Sequence, residues 1–533
     1  MNEHFGEKVK GIFDNITVLQ AKDSDLKRDN ANINGDTPMG AMLQYGANTA
    51  KEYNLDYLIK PEIAKLHREG WIHIHDLDFY AWTTTCTQIE LRKLFKGGFD
   101  TGHGHLREPK SIGSYAALAA IAIQSNQNDQ HGGQSVVDFD YAMADGVRCT
   151  YEKYLKEARD ICSKLGKVDG NWIMDYAYNK TVRDTYQAME GFIHNLNTMH
   201  SRAGAQVPFS SINYGTDTSW EGRLAVEQLL LATEAGLGQG ETPIFPIQIF
   251  RVKEGVNYNS VDPNYDLFKL TIKVSAKRLF PNFAFIDAPF NLQYYKPGHP
   301  ETEVAYMGCR TRVMGNVYDP TREVAPGRGN LSFTSINLPR LGIEAKGDVY
   351  KFFEMLDNML ELTMEQLLDR YKAQASRLVR NFPFLMGEGV WIDSDKLGPD
   401  DEVGEVLKHG TLSIGFCGLA ECLVALIGHH HGEDRDAQKL GLRIVREIRA
   451  YCDLKSKELG MNVTCLATPA ESLAGRFLRL DKAKYGIIEG VTSHDYYTNS
   501  FHVPVYYDIS ACKKIDIEAP YHALTNAGHI SYV

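Results

Sequence analysis

Helical and β-rich segments alternate along this 533-residue sequence. Residues 224–237 have the apolar pattern of a buried helix, and residues 245–250 read as a strand that begins at a proline. A core-facing helix is predicted where apolar side chains recur at helical spacing, at Phe353, Leu356, Leu360, Met364 and Leu367. The alternation predicts an α/β fold.

The first part of the chain, residues 8–70, is predicted to be helical. Pro38 and Pro61 each stand at the start of a helical stretch, where a proline fits the first turn. Residues 71–80 then alternate apolar and polar side chains, which is typical of a half-buried strand. His73 and His75 would face the same side of this strand. Because no third metal ligand is evident nearby, we interpret them as structural histidines rather than a metal pair.

Composition narrows the class of protein. Hydrophobic residues make up 43% and charged residues 23%, which fits a globular protein with a large core. There is no apolar run of transmembrane length and no secretory signal, so we expect a cytoplasmic protein without a membrane partner. The net charge of −11 and the scattered Lys and Arg disfavour a nucleic-acid polymer as partner. A small anion stays possible, because helix N-termini bind anions without a basic surface.

Nine cysteines are spread along the chain, at positions 86, 149, 162, 309, 417, 422, 452, 465 and 512. None forms a Cys-x-x-Cys pair, and the spacings fit neither a disulfide framework nor a four-cysteine zinc site. We therefore predict reduced thiols and no metal site.

Cys309 stands between Gly308 and Arg310, in a segment with turn residues on both sides, which predicts a loop. Taken alone, such a cysteine is more often a small buried hydrophobe than a reagent. A nucleophilic role would need a base, and no histidine is adjacent in sequence.

Two further residues are candidates for a site. Cys86 lies in a β-branched run, residues 83–89, and is predicted to lie on a strand. Asn330 lies at a loop-to-strand junction, where an amide can face a ligand or simply serve a turn. Neither interpretation is specific on its own.

Residues 463–467 read as a strand that runs into a helix. Thr468 would cap that helix, Pro469 would be its first residue, and Glu471 would be the reciprocal capping partner. A strand that ends at a helix N-terminus is a good anion site, because free N–H groups and the helix dipole converge there. An ordinary capping box explains the same residues, and both interpretations stay open.

Residues 127–134 form a polar turn rich in amides, including Gln127, Gln130 and Gln134. Such turns are usually solvated, but one so rich in amides could bind a small polar ligand.

Seven segments in order carry a resemblance to one family. They are residues 73–80 (HIHDLDFY), 84–88 (TTCTQ), 109–113 (PKSIG), 307–310 (MGCR), 467–471 (ATPAE), 497–502 (YTNSFH) and 519–533 (with APYH and GHISYV). From about residue 25 to its end, the sequence resembles the catalytic subunit of the anaerobic, class III glycyl-radical ribonucleoside-triphosphate reductases.

The resemblance implies a fold. It is a ten-stranded α/β barrel with a finger loop, at about residues 297–329, threading its centre. Residues 1–70 would form an N-terminal helical segment and residues 71–533 the catalytic barrel. Compared with that family, we expect no ATP-cone domain and no C-terminal glycyl-radical domain in this sequence.

The resemblance also implies roles for individual residues. Cys309 would become a thiyl radical that removes the 3′-hydrogen of the ribose, and Cys86 would give up hydrogen as the 2′-hydroxyl leaves as water. Asn330 would be associated with ribose and formate, which makes formate the implied reductant. The ribonucleoside-triphosphate substrate, with Mg²⁺, would bind through its phosphates to Thr468, Pro469, Ala470, Glu471 and Ser472.

Regulation and activation are implied in the same way. Gln127, Gln130 and Gln134 would lie near a homodimer interface where a dNTP or ATP effector binds. A radical-SAM activating protein with an iron–sulfur cluster would be the activating partner.

The sequence departs from the family pattern at one point. The family stores its radical on a glycine in a C-terminal loop, after zinc-binding Cys-x-x-Cys pairs, and this sequence has neither signature. Three explanations stay open: a truncated sequence or interrupted gene, a split enzyme with a separate glycyl-radical polypeptide, or a subunit that only binds nucleotides.

Two functions therefore stay open. The chain is either the reductase body, active when a glycyl radical is supplied, or a non-catalytic, nucleotide-binding regulatory homologue. Cys86, Cys309 and Asn330 together favour the first, because a binding protein has no need for two thiols facing a sugar. A glycyl-radical enzyme of the formate-lyase type fits less well, since those enzymes carry adjacent cysteines at the loop tip.

Overall fold

The computed structural model describes residues 3–18, 37–166, 170–201, 206–308, 310–470 and 472–533. The helices are α1 (Glu3–Val18), α2 (Pro38–Tyr53), α3 (Pro61–Glu69), α4 (Leu91–Phe95), α5 (Ile112–Asp129), α6 (Phe139–Leu165), α7 (Gly170–Thr198), α8 (Trp220–Ala235), α9 (Tyr265–Arg278), α10 (Pro289–Leu292), α11 (Leu338–Ala345), α12 (Val349–Ala375), α13 (Gly404–Leu407), α14 (Leu419–Ile427), α15 (Arg435–Leu459), α16 (Leu473–Tyr485) and α17 (Ala511–His522). The strands are β1 (Ile72–Ile74), β2 (Thr87–Ile89), β3 (Phe99–Asp100), β4 (His105–Leu106), β5 (Gln134–Val136), β6 (Ser210–Tyr214), β7 (Ile247–Val252), β8 (Asn282–Phe285), β9 (Asn330–Asn337), β10 (Thr411–Cys417) and β11 (Asn462–Ala467).

Five parallel strands form one sheet, in the order β2-β5-β6-β7-β8. A parallel sheet needs cover on both faces. Helices α5 and α6 pack against β5 and β6 on the outside. On the inside, the sheet does not face an apolar layer. Its side chains form hydrogen bonds with a loop that is described below; they are Gln88, Ser135, Ser211 and Asn213.

A second sheet has the order β1-β9-β10-β11, with β9, β10 and β11 parallel and β1 antiparallel to β9. A further extended segment, at residues 527–528, lies beside β11 at the edge of this sheet. Ala527 N–H donates to Cys465 O at 2.9 Å, and Ala467 N–H donates to Gly528 O at 3.2 Å. Within the described residues, the nine strands of the two sheets and this segment make ten extended segments. The predicted α/β barrel is confirmed.

The two sheets meet along residues 86–88 and 327–330. Gln88 N–H donates to Arg328 O, and Gly327 N–H donates to Gln88 O, both at 2.8 Å. Gly329 permits this contact, because a Cβ added there would lie 1.7 Å from the carbonyl oxygen of Cys86. No other residue type fits between the sheets at this position.

Several sequence predictions for helices and strands are confirmed. The stretches at 224–237 and 245–250 correspond to α8 and β7, and the predicted core helix is α12. Pro38 and Pro61 begin α2 and α3, and Thr37 Oγ1 caps α2 by accepting from Gly40 N–H at 3.0 Å. The strand predicted over 71–80 is wrong beyond Ile74. There Asp76 has a positive φ of 54° and a 3₁₀ turn, Leu77–Phe79, follows.

Candidate active site

A loop enters the barrel and is held by side chains of the five-stranded sheet. Ala305 O accepts from Gln88 Nε2 at 2.9 Å. The backbone of Tyr306 makes two bonds with the amide of Asn213: its N–H donates to Oδ1 at 2.9 Å, and its carbonyl accepts from Nδ2 at 2.8 Å. Gly308 N–H donates to Ser211 Oγ at 3.0 Å. These are the contacts expected of the predicted finger loop.

The loop reverses in a tight turn. Met307 N–H donates to Thr311 O, and Arg310 N–H donates to Met307 O, both at 2.8 Å. Gly308 fits because a Cβ there would lie 2.8 Å from Ile247 Cδ1. Cys309, between Gly308 and Arg310, lies outside the described residues, so its role stays a prediction.

Cys86 lies where the loop turns. It is buried and packs with Met307 and Val313, which flank the turn on its two limbs. The residue precedes β2 by one position, so its placement on a strand was wrong. Its backbone N–H nevertheless donates to Asn330 O at 3.2 Å, which ties it to the first residue of β9. The predicted sites Cys86 and Asn330 are therefore adjacent.

Asn330 is buried, and its amide is held in one orientation. Its Nδ2 donates to Thr411 Oγ1 at 3.0 Å and to Ser413 Oγ at 2.6 Å. Its Oδ1 has no hydrogen-bond partner among the described residues. A buried amide oxygen without a donor costs about 1–3 kcal/mol, which favours a ligand hydroxyl as the missing partner.

Arg328 holds the base of the loop. Its guanidinium donates to four backbone carbonyls at 2.7–2.9 Å, those of Met314, Gly315, Val324 and His409. Burial lowers the pKa of this guanidinium to about 9. The return limb of the loop is thereby fixed to the end of the second sheet.

The segment predicted to bind phosphate follows β11. The helix after it begins at Leu473, and Ser472 at its N-cap makes no side-chain capping bond, so the predicted capping box is wrong. Thr468 is buried and its hydroxyl shares a hydrogen bond with Ser335 Oγ at 2.8 Å instead. Glu471 lies outside the described residues. Pro469 and Ala470, with Ser472, line a cavity of about 350 Å³.

Imidazoles also line this cavity, including His67, His73 and His75. As predicted, His73 and His75 face the same side, with ring centroids 4.5 Å apart. His75 Nε2 shares a hydrogen bond with Ser335 Oγ at 2.9 Å. Burial lowers the pKa of His75 to about 4 and holds those of His67 and His73 well below their usual value. Among the described residues, no three His, Cys, Asp or Glu side chains are grouped as a metal site requires.

A family model described as anaerobic ribonucleoside-triphosphate reductase matches residues 29–533. The chain is 34% identical over 489 residues to the anaerobic ribonucleoside-triphosphate reductase of Escherichia coli K12, which covers 91% of this chain and 66% of that protein. It is 34% identical over 480 residues to the reductase of Enterobacteria phage T4, covering 88% of this chain and 75% of that protein. The chain belongs to this family.

Solved structures support the fold of this family member. The anaerobic ribonucleotide reductase from Thermotoga maritima, solved in complex with dATP and CTP, matches with a TM-score of 0.70 at 14% identity, over 98% of this chain and 83% of that one. The B12-independent glycerol dehydratase from Clostridium butyricum matches with a TM-score of 0.53 at 10% identity, over 91% and 73%. The chain spans 66% of the length of the E. coli reductase.

The turn predicted over residues 127–134 is shorter in the structure of this reductase homologue, because α5 extends to Asp129 and β5 begins at Gln134. Gln127, Gln130 and Gln134 are all buried. Gln130 Nε2 donates to Thr84 Oγ1, and its Oε1 accepts from Thr87 Oγ1, both at 2.6 Å. Gln130 therefore braces the residues on either side of Cys86, and the effector-binding role of the three glutamines stays a prediction.

The sequence interpretation of this reductase homologue missed Arg476, which lines the histidine-lined cavity. Burial lowers the pKa of its guanidinium to about 10. The sequence signal that could have identified Arg476 was its position on the helix that follows the predicted phosphate-binding segment.

Within the described ranges, no helix combines the length and apolar character needed to cross a bilayer.

Proposed function

We propose that this chain carries the reaction centre for reducing ribonucleoside triphosphates to 2′-deoxyribonucleoside triphosphates under anaerobic conditions. Family membership supports the reaction class. The observation that carries the proposal is the packing of Cys86 on Met307 and Val313, which flank the loop turn, beside the unengaged Oδ1 of Asn330.

The proposed chemistry divides two hydrogen transfers between two thiols. The sulfur of Cys309, as a thiyl radical, takes the 3′-hydrogen atom of the ribose and becomes a thiol. The 2′-hydroxyl leaves as water, and Cys86 supplies a hydrogen atom to C2′. The hydrogen atom of formate restores the Cys86 thiol, the remaining electron of formate passes to the sugar as carbon dioxide leaves, and Cys309 returns the hydrogen atom to C3′. Formate is the proposed reductant: with one proton, formate and the nucleotide give the deoxynucleotide, carbon dioxide and water.

Asn330 would position the sugar. Because Thr411 and Ser413 hold its Nδ2, its Oδ1 is directed as an acceptor. We assign that acceptor to a ribose hydroxyl, because formate, as a carboxylate, only accepts hydrogen bonds. The side chains that hold Asn330 are uncharged and buried, which suits a site that must keep water away from a radical.

When present, a glycyl radical would take the hydrogen atom of the Cys309 thiol and so leave the unpaired electron on sulfur. Residues on the C-terminal side of the barrel would hold the segment that carries it. There Arg312 N–H donates to Ala527 O at 2.8 Å, and the Arg310 guanidinium lies over the Tyr532 ring at 5.7 Å. The radical would belong to a further segment or a separate polypeptide and be installed by a radical-SAM activating protein.

The nucleotide would bind through its phosphates to the segment of Thr468, Pro469, Ala470, Glu471 and Ser472, with Mg²⁺ on the phosphates. We keep the effector role of Gln127, Gln130 and Gln134, and the homodimer, as parts of the proposal. The family zinc site has no counterpart among the described residues, and no step depends on it.

The test uses the native protein, with its glycyl-radical segment and activating protein, incubated without oxygen with CTP and ¹³C-formate. We expect dCTP and ¹³C-labelled carbon dioxide in equal amounts. Cys86→Ser and Cys309→Ser should each reduce dCTP formation to background while CTP still binds in calorimetry. Cys512→Ser, at an exposed position on α17, is the matched control and should leave the rate unchanged.

Continued dCTP formation in either serine variant of the two site cysteines would contradict the catalytic assignment. CTP binding by a wild-type complex that forms no dCTP would instead establish the non-catalytic regulatory homologue. Unlabelled carbon dioxide alongside dCTP would remove formate as the reductant.

A further inference from the structure

The histidine-lined cavity contains a guanidinium that forms no ion pair with the described residues. Arg476 lies in the first turns of α16, beside the segment that includes Pro469 and Ser472. Among the described residues, no carboxylate lies within ion-pair distance of it, and the positive charges of Arg340 and Arg479 contribute to lowering its pKa. By contrast, Arg340, buried nearby, is paired with Asp481.

Arg476 is only partly used by the protein. Its Nη2 donates to His67 O, and its Nη1 lies 3.4 Å from His73 Nδ1. A guanidinium has five N–H donors, so at least half of its donor capacity remains. Side chains of a helix lean towards its N-terminus, so this guanidinium lies beside the first turn of α16, where free backbone N–H groups also point.

Two neutral imidazoles add further donors. His67 Nδ1 accepts from Ile74 N–H at 3.1 Å, and His73 Nδ1 faces the Arg476 N–H. Each ring therefore carries its proton on Nε2. No described residue accepts from Nε2 of either ring, although His67 is only 6% exposed and both rings line the cavity. Both Nε2–H groups are therefore available to a ligand in the cavity that supplies an acceptor.

Asp76 and Asp78 also line the cavity, but neither forms an ion pair with Arg476. Asp76 Oδ1 is 3.4 Å from His131 Nδ1. Asp78 also lines the neighbouring apolar groove beside Met39 and Met42. The wall formed by Arg476, His67 and His73 therefore presents donors and positive charge only.

We propose that Arg476, supported by the Nε2–H groups of His67 and His73, binds the terminal phosphate of the substrate and so distinguishes triphosphates from diphosphates. This inference rests on the proposed function, which assigns the inner phosphates to the turn before α16. Arginine suits the role because its planar fork donates two parallel hydrogen bonds to phosphate oxygens. The cavity volume of about 350 Å³ is in the range of small-ligand sites.

The test compares CTP and CDP binding by calorimetry, with the effector dATP present at saturation. In Arg476→Gln we expect the Kd for CTP to rise about 10- to 100-fold, as loss of a charge-assisted hydrogen bond does, and the Kd for CDP to change less than about threefold. Arg476→Lys keeps the charge and should recover part of the CTP affinity. Arg479→Gln, one turn along α16 and outside the cavity wall, should change neither Kd.

Equal losses for CTP and CDP, or no loss, would overturn the proposal. A lower melting temperature in Arg476→Gln that Arg476→Lys does not repair, with equal loss of both ligands, would assign Arg476 a structural role. If the wild-type protein binds neither nucleotide, both this inference and the proposed function fail. If it binds both but forms no dCTP, only the proposed reduction fails and the comparison of ligands still decides the role of Arg476.

Discussion

Arg328 and Arg476 are both largely buried arginines with no acidic partner among the described residues, yet their surroundings differ. Arg328 donates to four backbone carbonyls, so its donors are committed to the protein. Arg476 makes two contacts and otherwise faces a cavity. Burial lowers the pKa of both, to about 9 and about 10.

The difference separates a structural cation from a ligand-binding one. A buried charge must be compensated, by carbonyl dipoles or by an ion. Arg328 has the dipoles, and we infer that Arg476 obtains its compensation from the substrate. Replacing the first should therefore change folding, and replacing the second should change binding.

The largest effect is expected for Arg328→Met. Removing the guanidinium leaves four buried carbonyls without donors, and we expect the free energy of unfolding to fall by about 3 kcal/mol or more. Urea unfolding measures it. Arg476→Gln is the matched variant and should cost less than about 1 kcal/mol. An equal loss in both proteins would show that the two arginines have the same structural role.

Sequence patterns predicted much of the architecture, because periodicity is a local property. The core helix α12 and the junction at Asn330 were both predicted. The role of Arg328 was not, because its carbonyl partners extend to His409, 81 residues away. Thr468 was misassigned as a cap for the same reason, since its hydroxyl partner Ser335 is 133 residues distant.

The burial of the amide-rich segment could not be predicted, for a related reason. Polar composition predicts solvent exposure, but Gln130 is buried because Thr84 and Thr87 satisfy its amide. Motif resemblance identified Cys86 and Asn330 without showing that they are neighbours. That adjacency depends on the hydrogen bond across the two sheets and on the absence of a Cβ at Gly329.

Asp129 is a buried acidic residue that, like Arg328, forms its hydrogen bonds with the backbone. Its carboxylate accepts from the backbone N–H groups of Phe384 and Leu385 at 2.8 and 2.9 Å. Burial outweighs these bonds and raises its pKa to about 6. The folded state therefore holds the proton more tightly than the unfolded state. Stability from this group is fully present below about pH 4 and is lost as the pH rises to about 6.

Asp129→Asn should remove this pH dependence, because the amide oxygen can still accept from both N–H groups without becoming charged. Two pKa units correspond to about 2.7 kcal/mol, so we expect the unfolding free energy of the wild type, relative to the variant, to fall by up to about that amount between pH 4 and pH 6. Urea unfolding across this range measures the difference. Parallel pH profiles would show that Asp129 is ionised in the folded protein throughout.

The smallest effect is expected for Asn330, whose partners are uncharged, and it can be compared with that of Arg476 in the histidine-lined cavity. Asn330→Ala should lower kcat for CTP reduction about tenfold, the cost of one hydrogen bond to the reacting sugar, while KM changes less than about threefold. Asn259→Ala, at an exposed position, is the control and should change neither constant. Arg476→Gln should do the opposite, raising KM at nearly constant kcat. If Asn330→Ala instead raises KM and leaves kcat intact, the Asn330 amide binds the nucleotide equally in the ground and transition states. The proposed difference between Asn330, which acts on the reacting sugar, and Arg476, which binds the phosphate, would then be wrong.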